Sequence, residues 1–394
     1  MALTLATRMS HLEASEIREI LKLTARPEVI SFAGGLPAPE LFPIEEIKEA
    51  GRLVLEEAGA SALQYTTTEG LAALRAWISE RMNRRVGTHY TADQVLITSG
   101  SQQAIDLSGK VFLDEGDVVV CESPTYLAAI SAFKAYACAF AEVETDDDGM
   151  VMEDLERVLK TTKNCRIIYT VPNFQNPTGR TWSTERRKRL AELAAEYQVA
   201  VLEDDPYGEL RFEGDFLPSV KSFDEAGVVL SLGTFSKILC PGMRIAWIAG
   251  DAELIRQYVL VKQGTDLQCN TMAQMEIVKY LERNDIEAHI ARIRETYKRR
   301  CHLMLKCLGE ELPGNMATFT RPQGGLFVWV ELPPDINARD LLLKCLEQNV
   351  AFVPGGAFFP NSRKENTFRM NFSNMPEERI IEGVRRLGVA LRTM

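Results

Sequence analysis

The sequence predicts an α/β protein, a mostly parallel sheet sandwiched by helices and joined to a small α+β domain. Three observations carry this expectation. Between about residues 95 and 250, short apolar runs alternate with amphipathic stretches, the pattern of strands joined by crossover helices. From about residue 286 the pattern changes to a few strand-like runs around one helix. The chain is 394 residues long, more than one hydrophobic core usually organises, so two domains are the natural arrangement.

The expected organisation is an N-terminal arm at 1–45, a large domain at 46–285 and a small C-terminal domain at 286–394. The arm carries a short helix pattern at Ala14–Leu23. It then reaches Gly34-Gly35-Leu36-Pro37-Ala38-Pro39, a turn that brings backbone close to another segment or to a ligand. In the large domain, Gln94–Thr98, Asp117–Glu122, Arg166–Val171, Ala200–Asp204, Val228–Leu232 and Arg244–Ala249 read as strands. Ser101–Leu113 and Thr184–Tyr197 repeat apolar residues at three- and four-residue spacing and read as helices. In the small domain, a long helix at Asp285–Gly309 precedes strand-like runs at Gly325–Glu331, Val350–Val353 and Thr367–Phe372. Helices are expected at Ala338–Gln348 and Glu377–Arg392.

Composition narrows the function. Hydrophobic residues make up 46% and charged residues 25%, an ordinary soluble mixture. The net charge of −10, with no block of five like charges, disfavours a nucleic-acid surface. His11, His89, His289 and His302 are scattered, and no HExxH or Cys-x-x-Cys spacing appears, so no metal site is expected. The eight cysteines are spread singly, consistent with reduced thiols in a cytoplasmic protein. No stretch approaches the apolar length of a membrane helix, and no secretory leader is expected.

The chemistry gathers at expected strand ends, where ligands bind in sheets of this kind. Ser231, Thr234 and Ser236 surround Lys237, and Arg244 follows a Pro-Gly turn. An amine beside hydroxyls and a guanidinium suits a phosphorylated aldehyde, pyridoxal 5'-phosphate, although a lone lysine after a strand is more often a solvated one. Such a cofactor needs a carboxylate for its pyridine nitrogen. Asp204 and Asp205 end the apolar run Val199–Leu202, with Tyr207 beyond; the alternative is an acidic turn before Pro206. Asn176, in Asn176-Pro177-Thr178-Gly179, offers a ring hydrogen bond or is simply part of a good turn. Thr98-Ser99-Gly100-Ser101-Gln102 presents a helix start to an anion, and Tyr126 can cover a flat ring.

Taken in order, these motifs resemble the class I/II aminotransferases of pyridoxal-phosphate fold type I over essentially the whole chain. They come nearest to the bacterial 2-aminoadipate-type, multi-substrate branch. The closer likeness lies in Ser31–Pro43, Leu63-Gln64-Tyr65, Gly100-Ser101-Gln102-Gln103 and Ala351-Phe352-Val353-Pro354-Gly355-Gly356. The resemblance implies a seven-stranded, mostly parallel sheet in the large domain and amino-group transfer from an L-amino acid to a 2-oxo acid, with 2-oxoglutarate the expected acceptor. It implies that Lys237 condenses with the cofactor, Asp204 pairs with the pyridine nitrogen, and Asn176 and Tyr207 bond the ring oxygen. Tyr126 would stack on the ring. Ser101, Gln102, Thr234, Ser236 and Arg244 would hold the phosphate, joined by Tyr65 from the second subunit of a homodimer. Arg369 would grip the substrate α-carboxylate, with Asn176 and Gly35 beside it.

Arg18, on the arm, would select the side chain by pairing with a distal carboxylate; an ordinary helix-surface ion pair is the equal alternative. Two other functions fit parts of the pattern. A β-eliminating carbon–sulfur lyase shares the cofactor residues. An aminotransferase-like sensor of a transcription regulator needs a preceding DNA-binding module, and the resemblance starts within the first dozen residues, leaving no space for one.

Overall fold

The computed structural model describes residues 3–11 and 26–394. The expected helix Ala14–Leu23, and Arg18 with it, lies outside the described residues. The large sheet has eight strands, in the order Val95–Thr98, Ala246–Ala249, Val229–Thr234, Ala200–Asp204, Cys165–Thr170, Val118–Ser123, Ala139–Asp146 and Gly149–Met150. The five strands from Val229–Thr234 to Ala139–Asp146 run parallel. Ala246–Ala249 runs antiparallel to both of its neighbours, and Gly149–Met150 closes a hairpin on the far edge. That two-residue edge strand brings the count to eight where seven were expected.

The central strands are buried over most of their length, which explains why they read as largely continuous apolar runs rather than alternating ones. Helices Ser101–Phe112 and Thr184–Tyr197 belong to the layers that cover them. Thr184–Tyr197 starts where Ser183 Oγ accepts from the Arg186 amide and ends at Gln198 in the left-handed region. Among the described residues no helix is long and apolar enough to cross a membrane.

The C-terminal part carries a four-stranded antiparallel sheet in the order Thr318–Phe319, Phe327–Glu331, Thr367–Asn371, Val353–Pro354. Helices Ile286–Glu311, Ala338–Glu347 and Glu377–Leu391 accompany it. The single run expected at Val350–Val353 divides. Val353–Pro354 joins this sheet, while Val350–Ala351 pairs in parallel with Ile30–Ser31 of the arm. The Asn371 amide also donates to the Phe32 carbonyl at 2.8 Å. The arm is thereby stitched onto the C-terminal part, and its next residues, Ala33 to Gly35, are carried towards the ends of the large sheet's strands.

Candidate active site

Three adjacent parallel strands deliver the central groups. Val229–Thr234 ends three residues before Lys237, Ala200–Asp204 ends on Asp204 itself, and Cys165–Thr170 leads to Asn176. Lys237 is part-buried, and its Nζ donates to the Gly35 carbonyl at 2.7 Å. Burial, and then the positive charges of Arg369 and Arg244, push the amine down to about 8. A lysine tuned this way is a usable base and nucleophile near neutral pH.

Asp204 is 3% exposed. The Tyr169 hydroxyl donates to its Oδ2 at 2.7 Å, while Oδ1 has no partner. Burial raises the carboxyl to about 7, the Tyr169 bond pulls it down, and Asp205 pushes it up again. A buried carboxylate oxygen without a donor is costly for a folded chain to keep, and a protonated ring nitrogen is the kind of group that would relieve it.

Arg369, 4% exposed, is a buried guanidinium with no carboxylate partner among the described residues. Nη1 donates to Asn176 Oδ1 and Nη2 to the Ala33 carbonyl, both at 2.7 Å, and Nε is unpaired. Its guanidinium carbon lies 4.2 Å from the centre of the Phe327 ring and 5.1 Å from that of Phe358, within cation–π range. Burial lowers it to about 10, so it remains charged at neutral pH. A desolvated cation held by neutral acceptors is set up for an incoming anion. Tyr207 is buried edge-on to the same Phe327 ring, at 5.8 Å between centroids. Burial raises the Tyr207 and Tyr126 hydroxyls, which stay neutral donors.

A further corner is an anion cradle. Gly100, at φ 83° and ψ 160°, caps helix Ser101–Phe112, and Ser101 Oγ is buried without a partner. Arg244 crosses Gly100 so closely that a Cβ there would lie 2.1 Å from its Nη2. Thr234 Oγ1 donates to Ser236 Oγ at 2.9 Å and accepts from the Ser236 amide at 3.0 Å. The helix end, three hydroxyls and a guanidinium together suit a phosphate.

Residues 27–387 match the family described as aminotransferase class I and II. The chain belongs to the class I and II aminotransferases. Aromatic-amino-acid aminotransferase 1 of Thermococcus litoralis is 48% identical to it over 385 residues, which cover 97% of this chain and 92% of that relative. Kynurenine aminotransferase of Pyrococcus horikoshii, solved in complex with PMP, KYN as substrates and KYA as products, superposes with a TM-score of 0.94 at 43% identity. That match covers 99% of this chain and 97% of the other. LysN, the alpha-aminoadipate aminotransferase of Thermus thermophilus, complexed with N-(5'-phosphopyridoxyl)-L-leucine, gives 0.91 at 43% identity over the same shares.

In this aminotransferase, contacts join Lys237 to Gly35, Asn176 to Arg369, Thr234 to Ser236, and Gly100, beside Ser101, to Arg244. Gln102 is exposed, and its amide donates to the Ala128 carbonyl at 3.0 Å. Tyr65 is 77% exposed, pointing away from its own chain's interior. Sequence reasoning missed Tyr169, Phe327, Phe358 and the Ala33 carbonyl. For Tyr169 a signal existed, since it falls near the end of the expected strand Arg166–Val171, where ligands bind in sheets of this kind. Phe327 and Phe358 come from distant segments and leave no local signature, whereas Ala33 stands next to the Gly34-Gly35 turn.

Proposed function

We propose that this aminotransferase binds pyridoxal 5'-phosphate and moves the amino group of an L-amino acid to a 2-oxo acid, with 2-oxoglutarate as acceptor. The observation that carries the reading is the set of buried polar atoms left unpaired, Asp204 Oδ1, Ser101 Oγ and Arg369 Nε, arranged around a lysine whose amine is held near 8. They suit the ring nitrogen, the phosphate and a substrate carboxylate in turn. The bound cofactor supplies an electron sink for the charge left when the substrate's Cα–H bond ionises. The protein does the rest. Lys237 Nζ takes the proton from the substrate's Cα and would deliver it to the cofactor's aldehyde carbon, C4′. Asp204 keeps a proton on the ring nitrogen.

Asn176, fixed by Arg369, and Tyr207 orient the ring from its oxygen side, and Tyr126 packs on its face. Ser101, Gln102, Thr234, Ser236 and Arg244 bind the phosphate, and Tyr65 completes the neighbouring site in a cytoplasmic homodimer. Arg369 binds the α-carboxylate. The substrates named for the relatives, aromatic amino acids, kynurenine and 2-aminoadipate, together with the leucine adduct, suggest a site that takes both apolar and acidic side chains. Arg18 is the group for the acidic ones. Lys237→Ala is expected to abolish transfer to 2-oxoglutarate, and turnover at the wild-type rate would sink the reading. A donor panel with Arg18→Ala completes the test, since selective loss of 2-aminoadipate over leucine is expected and equal loss would remove Arg18 from specificity.

A further inference from the structure

Tyr169 lies on Cys165–Thr170, one strand over from Asp204. The strands run parallel with Tyr169 opposite Leu202, and alternate residues share a face, so Tyr169, Leu202 and Asp204 project from the same side of the sheet. The phenol is buried, and its ring packs edge-on against Phe133 at 6.1 Å and 71°. Its hydroxyl donates to Asp204 Oδ2 at 2.7 Å, and Oδ1 has no partner. Burial holds the Tyr169 hydroxyl well above its ordinary range, so it stays a neutral donor at every working pH.

We propose that Tyr169 is a positioning residue for Asp204. Its phenol ties down Oδ2, sustains the ionised carboxylate in an apolar setting and leaves Oδ1 as the oxygen that meets the cofactor's ring nitrogen. This rests on the pyridoxal-phosphate reading above. Among the described residues, the other ionisable groups bearing on Asp204 are Asp205, next in the chain, Tyr126, after strand Val118–Ser123, and Tyr207. Asp205 disfavours a second negative charge, and burial keeps both tyrosines neutral. Tyr169 is the neighbour whose hydrogen bond favours the charged form.

The test is Tyr169→Phe, which deletes one oxygen and keeps the ring. The full-length protein is titrated with pyridoxal phosphate by visible absorbance from roughly pH 6 to 9, with the thermal midpoint followed in parallel. Without the donor, Asp204 ionises at higher pH. The ratio of variant to wild-type Kd is expected to be about tenfold near neutrality and to fall towards unity at the alkaline end, where both carboxylates are charged. A ratio that does not change with pH overturns the proposal. Asp204→Asn gives a second measurement, because Tyr169→Phe on that background should move Kd by less than about twofold. An equal loss in both backgrounds overturns the proposal too. A wild-type protein that takes up no cofactor overturns the proposal together with the reading beneath it, whereas the two preceding outcomes overturn the proposal alone.

Discussion

Gly100→Ala separates two physical demands made on one residue. Its φ of 83° with ψ of 160° is a conformation that L side chains rarely adopt, and holding alanine there costs about 1–3 kcal/mol. The added Cβ would also sit 2.1 Å from Arg244 Nη2 and 2.8 Å from its Cζ, so the guanidinium must swing out of the cradle. Losing a charge-assisted hydrogen bond to phosphate costs about 1.5–3 kcal/mol, or roughly 10- to 150-fold in cofactor Kd. Absorbance titration of the apoenzyme with pyridoxal phosphate measures the second effect, and the apoenzyme's thermal midpoint measures the first. Arg244→Gln should reproduce the weaker binding without the thermal loss. Adding Gly100→Ala to it should then weaken binding little further. Cofactor affinity within twofold of wild type in Gly100→Ala would refute the placement of Arg244 on the phosphate. An unchanged thermal midpoint would refute the backbone-strain argument.

Lys237 is held at about 8 in the folded chain against an ordinary 10.5. Between those values the unfolded chain binds the extra proton, so apoenzyme stability should rise with pH through that window, by at most about 3 kcal/mol. Lys237→Met should flatten the rise in a plot of thermal midpoint against pH, and an identical slope in both proteins would contradict it. Arg369→Lys keeps a charge but loses the planar fork that reaches Asn176 and Ala33 and would hold a carboxylate beside them. KM for the amino donor is expected to rise at least about tenfold, and an unchanged KM in steady-state assays would argue against the carboxylate role. Trp182 is fully buried and donates from Nε1 to Oε1 of buried Glu122 at 2.9 Å. Trp182→Phe should cost about 1–3 kcal/mol in denaturant unfolding with turnover unaltered; unchanged stability would show that the buried carboxyl finds another donor.

Much of the large sheet was legible because strands covered on both faces are apolar over most of their length. Val95–Thr98 and Ala200–Asp204 could hardly be read otherwise, and the helix Thr184–Tyr197 falls on its expected bounds. Ala139–Asp146 escaped notice because it lies near the sheet edge, where Glu142 and Glu144 face polar surroundings and break the apolar run. Strand direction was also hidden. Nothing in the composition of Ala246–Ala249 says that it runs against its neighbours. The candidate site was readable where a motif sits at a strand end, as with Lys237 and Asn176. Partners that meet only through the fold were not: Phe358 comes to Arg369 through the C-terminal part, and Tyr169 comes to Asp204 through strand register.

The arm's two carbonyls have a consequence for engineering. Ala33 and Gly35 supply the oxygens that hold Arg369 and Lys237, and only main-chain atoms are involved. Inserting or deleting a residue between 31 and 36 would therefore shift both oxygens at once. Libraries aimed at new substrates should leave the length of this segment alone.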